Sequence, residues 1–152
     1  MRYFKFALLT ILSGFLFHSC DRCHNLDCPS GYHGQFRIVS AVDGKDLLFG
    51  PNKIYDKDQI KFYSVRGADT SYFGYQSIKF PNIGPDSVLL VRFFPKNEIA
   101  YMQLSNGDVD TLAISYNTFE TECCGVTDMI SNFRFNNSVD LPGGKGTQEI
   151  KK

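Results

Sequence analysis

Hydrophobic positions fall into two regimes along the chain. Phe6 to Phe17 is a single apolar run, interrupted only by Thr10, Ser13 and Gly14. From Gln35 onward, apolar and polar residues alternate in short stretches with a period of two, which is the pattern of half-buried strands. Phe36, Ile38, Ser40 and Val42 form one such series, and Ile60, Phe62 and Ser64 another. Ser71 to Phe80 predicts a strand with Tyr72, Ile78 and Phe80 on one side and Phe73, Tyr75 and Lys79 on the other. Ser87 to Phe94 is nearly all apolar, as expected of a central strand covered on both faces. Strands over Glu98 to Leu104 and Val109 to Thr118 flank Asn106-Gly107, a strong hairpin signal. Met129 to Phe135 supplies a seventh strand, and Thr147 to Lys151 a final edge strand whose lysines discourage further pairing. Asp43-Gly44, Gly50-Pro51-Asn52, Asp56-Lys57-Asp58, Gly67-Ala68-Asp69 and the Pro81 to Asp86 segment punctuate the series as turns and loops.

Seven or eight short strands with regular turns, and no credible helix after residue 34, predict an all-β fold. The expected architecture is an antiparallel β-sandwich, immunoglobulin-like or transthyretin-like, with a closed barrel as the alternative. Composition agrees. Fourteen Phe and eight Tyr without a single Trp favour strands, and a hydrophobic content of 43% is enough for a packed core. No repeat or second domain is visible within 35–152.

The apolar run at the start is an address. Twelve helical residues rise about 18 Å, well short of the roughly 30 Å hydrocarbon core. With Arg2 and Lys5 ahead of it, the run reads as the core of a signal peptide over residues 1–19. His18-Ser19-Cys20 follows directly and resembles the lipobox of bacterial lipoproteins, although Phe17 stands where Leu is usual and His18 where a small or aliphatic residue is usual. The resemblance implies cleavage before Cys20 and acylation of its sulfur. One acyl chain anchors marginally, whereas the three normal for such a cysteine would hold the protein on the membrane. Residues 20–34 lack periodicity and hold Pro29, Gly31 and Gly34, so they read as a lipidated tether, with His24 and His33 as solvated linker residues. The folded domain is then 35–152.

Cysteine arithmetic follows from that assignment. With Cys20 given to lipid, Cys23, Cys28, Cys123 and Cys124 remain. An even number in an exported chain predicts two disulfides. Three pairings are open, and the two that join the N-terminal segment to Cys123-Cys124 are preferred because they constrain the unfolded chain most. Cys23, His24, Cys28, His33, Cys123 and Cys124 could instead ligate zinc, but their spacing matches no standard zinc pattern.

The chain's charge and motifs exclude more than they assign. Sixteen basic against sixteen acidic residues argue against nucleic-acid binding, and loss of Arg2 and Lys5 with the leader leaves a slight acidic excess. No nucleophile elbow, zinc-protease helix, phosphate loop or dinucleotide fingerprint is present. Asp56 and Asp58 lack the further oxygen ligands of a calcium loop, and Asp108 and Asp110 are expected to project to solvent. No catalytic residue, metal or cofactor is assigned. Tyr72, Phe73 and Tyr75 are the candidate rings for stacking on a sugar or peptide.

As a whole, the chain resembles small envelope lipoproteins of Bacteroidetes-type bacteria. The residues that carry the resemblance are Phe17 to Cys20, Asp43 to Asn52, and Cys123-Cys124-Gly125. It implies a cell-envelope location, with acyl chains on Cys20 in the outer membrane and the domain periplasmic or surface-exposed. The expected role is a non-catalytic interaction or structural module engaging an envelope protein. A glycan- or peptide-binding surface lipoprotein is the alternative, and an enzyme is disfavoured.

Overall fold

The computed structural model describes Cys23, Cys28 and residues 31–79, 87–137, 139–142 and 146–152. Residues 1–19, expected as a signal peptide, Cys20 and most of the expected tether lie outside these residues. Among the described residues there are ten strands: β1 His33–Val39, β2 Lys61–Arg66, β3 Asp69–Phe73, β4 Tyr75–Lys79, β5 Ser87–Arg92, β6 Ile99–Ser105, β7 Asp108–Thr121, β8 Gly125–Phe135, β9 Val139–Pro142 and β10 Thr147–Lys151. They form a four-stranded sheet ordered β10-β1-β5-β4 and a six-stranded sheet ordered β3-β2-β6-β7-β8-β9. The all-β sandwich read from the alternation is the observed fold.

Three features differ from the simple alternating picture. The stretch expected as one strand from Ser71 breaks at Gly74. Phe73 ends β3 beside Phe62 in one sheet, and Tyr75 opens β4 beside Val91 in the other. β10 pairs with β1 in parallel, while every other pair of strands is antiparallel. β1 stops at Val39. Ser40 then turns the chain by accepting the Val42 and Asp43 amides on its hydroxyl, which leaves Val42 exposed.

The core lies where the two sheets face each other. Phe36 on β1 is fully buried and touches three further phenylalanines, with ring centroids 6.2 Å from Phe62, 6.3 Å from Phe93 and 5.2 Å from Phe133. Gly34 makes room for this cluster. A Cβ there would sit 2.5 Å from the Phe36 ring and 2.9 Å from that of Phe133. Leu89, Met102, Leu112 and Ile150 complete the centre.

Between β1 and β2 the chain forms no strand, yet it is packed. Asp46 is buried, and its Oδ1 accepts the Leu48 and Phe49 amides at 2.8 and 2.7 Å. Its Oδ2 lies 3.6 Å from Arg37 Nε, and Arg37 also pairs with Glu149 on β10. This carboxylate therefore curls the loop so that Leu47 and Leu48 enter the core, giving the Asp43 to Asn52 stretch a structural role.

A second polar knot ties the chain's last residue to the β6–β7 hairpin. Lys152 Nζ donates to Asp108 Oδ1 at 2.5 Å and to Asp110 Oδ2 at 2.7 Å. Tyr55 donates to Asp108 Oδ2 at 2.7 Å, and Asn136 Nδ2 to Asp110 Oδ1 at 2.8 Å. The sequence pattern places both aspartates in solvent. Asp110 instead is buried, because its position on β7 faces inward and a cation reaches it from a segment 42 residues away.

Burial opposes ionisation of Asp108, but hydrogen bonds from Lys152 and Tyr55 outweigh it and leave its carboxyl below the usual value. Burial likewise opposes the Lys152 charge, and the two carboxylates overcome that and raise it. Burial and the Asp108 carboxylate push Tyr55 up to about 12. A lowered acid contributes stability that is present above its unfolded pKa and is lost as pH falls through the folded one. Raised Lys152 and Tyr55 contribute stability present below their unfolded values and lost at alkaline pH. Urea midpoints should therefore be flat from about pH 5 to 9 and fall at both ends. Lys152→Met should lower stability by about 1–3 kcal/mol at pH 7 and make the acid limb shallower. An unchanged acid limb in that variant would show that the knot does not govern acid unfolding.

Candidate functional site

A cleft of about 680 Å³ opens beside the start of β1, within the size range of ligand pockets. Strand register builds it. His33 pairs with Arg92, and both side chains alternate away from the core because Gly34 and Val91, the next pair, face inward. The Arg92 amide donates to the Gly74 carbonyl at 3.0 Å, which brings the sheet-switching glycine to the rim. A Cβ at Gly74 would meet nothing within 4 Å, so the cleft is open there. Tyr32, Gln76, Leu90, Phe94 and Pro95 complete the walls, with Phe94 half-exposed against Phe73.

The chemistry on offer is recognition. Arg92 is exposed and presents a planar fork of donors suited to carboxylate or sugar oxygens. Gln76 adds a donor and an acceptor, and Leu90, Phe94 and Pro95 supply an apolar wall. Tyr75 lines the cleft, but its hydroxyl is committed elsewhere. It donates to the Lys57 carbonyl at 2.6 Å and lies 3.1 Å from that of Ile60. Burial raises its pKa. No serine, threonine, cysteine, aspartate or glutamate is among the lining residues described.

The three rings singled out from sequence do not converge. Tyr72 is exposed, Phe73 is buried in the core against Phe93 at 5.2 Å, and Tyr75 belongs to the other sheet. Tyr72 instead joins an outward row across three neighbouring strands, with Tyr63 at 5.9 Å and Tyr101 a further 5.3 Å on. Register sets that row, since Tyr63 is opposite both Tyr72 and Tyr101. Its sequence signal is a tyrosine at each of three outward strand positions, readable only once the strand order is known. His33, expected in the linker, begins β1 and lines the cleft.

The four remaining cysteines form two disulfides, Cys23–Cys123 and Cys28–Cys124, spanning 100 and 96 residues. Both join the N-terminal segment to the turn at the tip of the β7–β8 hairpin. In that turn the Thr121 hydroxyl accepts the Cys124 amide at 3.0 Å, and Gly125 takes a φ of 61°. Two such bridges place the folded chain in an oxidising, non-cytoplasmic compartment. Among the described residues, no three His, Cys, Asp or Glu are placed to hold a metal ion, and no helix is long and apolar enough to cross a membrane. No protein-family model, curated protein or solved structure matches the chain.

Proposed function

We propose that this chain is a lipid-anchored envelope lipoprotein of Bacteroidetes type, and that its β-sandwich is a non-catalytic interaction module. The observation that carries the reading is the pair of disulfides. They fasten the segment immediately after the lipobox cysteine to the folded body, an arrangement suited to holding a domain at a membrane surface. The non-catalytic part is supported by how the ionisable groups are used. Asp108, Asp110, Lys152 and Tyr55 bind one another, and Asp46 binds Arg37 and two backbone amides. The cleft pairs Arg92 with His33 and offers no nucleophile–base couple. In this reading it takes a glycan or a peptide segment of an envelope partner, with an anionic or hydroxyl-rich group against Arg92 and an apolar group against Phe94.

The test has two arms in cells that process lipoproteins. Wild type should incorporate labelled palmitate and fractionate with membranes. Cys20→Ala should lose both label and membrane association while keeping its disulfides. Arg92→Ala should stay acylated and folded, and lose at least tenfold in crosslinking to the cleft's partner or in binding on a glycan array. An unlabelled wild type recovered in the soluble fraction would overturn the anchor. An Arg92→Ala variant indistinguishable from wild type in every binding assay would overturn the cleft.

A further inference from the structure

The geometry points to one end of the molecule as its membrane-facing end: we infer that the exposed tip of the β7–β8 hairpin rests on the lipid bilayer, oriented there by the disulfides. The inference rests on the acylation of Cys20 proposed above, and adds to it the surface that meets the lipid.

Chain length carries the first half of the argument. Three Cα–Cα steps lead from Cys20 to Cys23, a reach of at most about 11 Å. Cys23 and Cys123 have Cα atoms 5.3 Å apart. The acylated residue is therefore held within about 16 Å of the hairpin tip. Without the bridges, the first contact of this segment with the sheets among the described residues would be Gly31, which pairs with Met129, and the eleven Cα steps from Cys20 reach nearly 40 Å. The disulfides thus shorten the free leash from eleven steps to three, and they do so at one chosen point.

The surface at that point carries the second half. Phe119 is 47% and Val126 68% exposed, on the part of the hairpin that runs out beyond the core. Phe119 is opposite Thr127 and Val126 opposite Glu120, so the two apolar side chains lie on opposite faces of the ribbon. A partner docking on one face would cover only one of them. A bilayer met end-on covers both. Glu120 and Glu122, both exposed near the turn, need to stay hydrated, so the tip sits at headgroup depth and does not enter the hydrocarbon. The acyl chains supply the binding and the hairpin supplies the orientation. One consequence concerns the cleft. Tyr32 on its wall lies 6.4 Å from Tyr116 on β7, so the cleft begins about 20 Å from the bilayer along the hairpin and meets ligands close to the membrane.

The chain contains no tryptophan, so one introduced indole reports its own environment. Phe119→Trp, Val126→Trp and Val42→Trp, the last beyond the opposite end of β1, would each be purified in the lipidated, oxidised form. Each would be reconstituted into phosphatidylethanolamine–phosphatidylcholine vesicles with and without a nitroxide quencher carried on the lipid headgroup. Intact mass would establish acylation of Cys20, and co-flotation would establish binding. The expected result is a blue shift and loss of about half the emission at positions 119 and 126, with position 42 unaffected. Acylated, vesicle-bound protein with equal quenching at all three positions, or none at 119 and 126, would overturn the orientation and leave the anchor standing. Protein with no acyl mass on Cys20 that does not float would overturn both.

Discussion

Phe36→Ala should cost about 3–5 kcal/mol, more than any other single side-chain truncation in the sandwich. Phe36 is in contact with Phe62, Phe93 and Phe133 together, and it is fully buried between the sheets. Truncation loses the transfer free energy of the ring and leaves a cavity. The surrounding strands are poorly able to close that cavity, because β1 is held on both sides by β10 and β5. Urea unfolding should show a lower midpoint with an unchanged slope, and the melting temperature should drop by roughly 10–15 °C. Phe119→Ala, at an exposed position, should stay within about 0.5 kcal/mol of wild type. A loss under about 1 kcal/mol at Phe36 would mean that the cluster is not the centre of the core.

The contrast between these two phenylalanines shows what the chain reveals by itself. Period-two alternation put Phe36, Ile38 and Phe62 inside because each strand buries one face, and the Asn106-Gly107 turn set the β6–β7 hairpin by local geometry. Features that depend on non-local pairing were not legible. The parallel docking of β10 on β1 joins segments 112 residues apart at Arg37 and Glu149, and no local pattern encodes it. Gly74 looked like a tolerable interruption of one strand, because nothing nearby says that the next residues join the opposite sheet. Asp110 looked like surface charge because its neutralising cation arrives from the chain's last residue. The cleft was missed for the same reason. His33, Gly74 and Arg92 are scattered in sequence, and only the order β1-β5-β4 makes them neighbours. Even-numbered cysteines did predict the two cross-links, since redox compartment and parity are properties of the whole chain.

Removing both disulfides should be far more damaging than the two single removals suggest. In the chain-entropy model, closing a loop of about 100 residues stabilises by about 4.7 kcal/mol. The two bridges close nearly the same loop, one over 100 residues and the other over 96. Once either is formed, the second closes only the small ring through residues 23–28 and 123–124, worth about 2 kcal/mol in the same model. Cys23→Ser with Cys123→Ser, or Cys28→Ser with Cys124→Ser, should therefore each cost about 2 kcal/mol. The quadruple variant should cost about 7 kcal/mol, a large share of the 5–15 kcal/mol that holds an ordinary domain folded. Urea midpoints of the four oxidised proteins measure this cycle directly, and the coupling of about 3 kcal/mol is its signature. Two single losses near 4–5 kcal/mol that simply add would show that the bridges act on independent loops. The nested arrangement also bears on the anchor. Either bridge alone still fixes the segment after Cys20 to the same hairpin turn, with three Cα steps of slack through Cys23 or eight through Cys28. Reduction of one bridge should then loosen the domain at the membrane without releasing it, whereas reduction of both should free the leash and unfold most of the protein together.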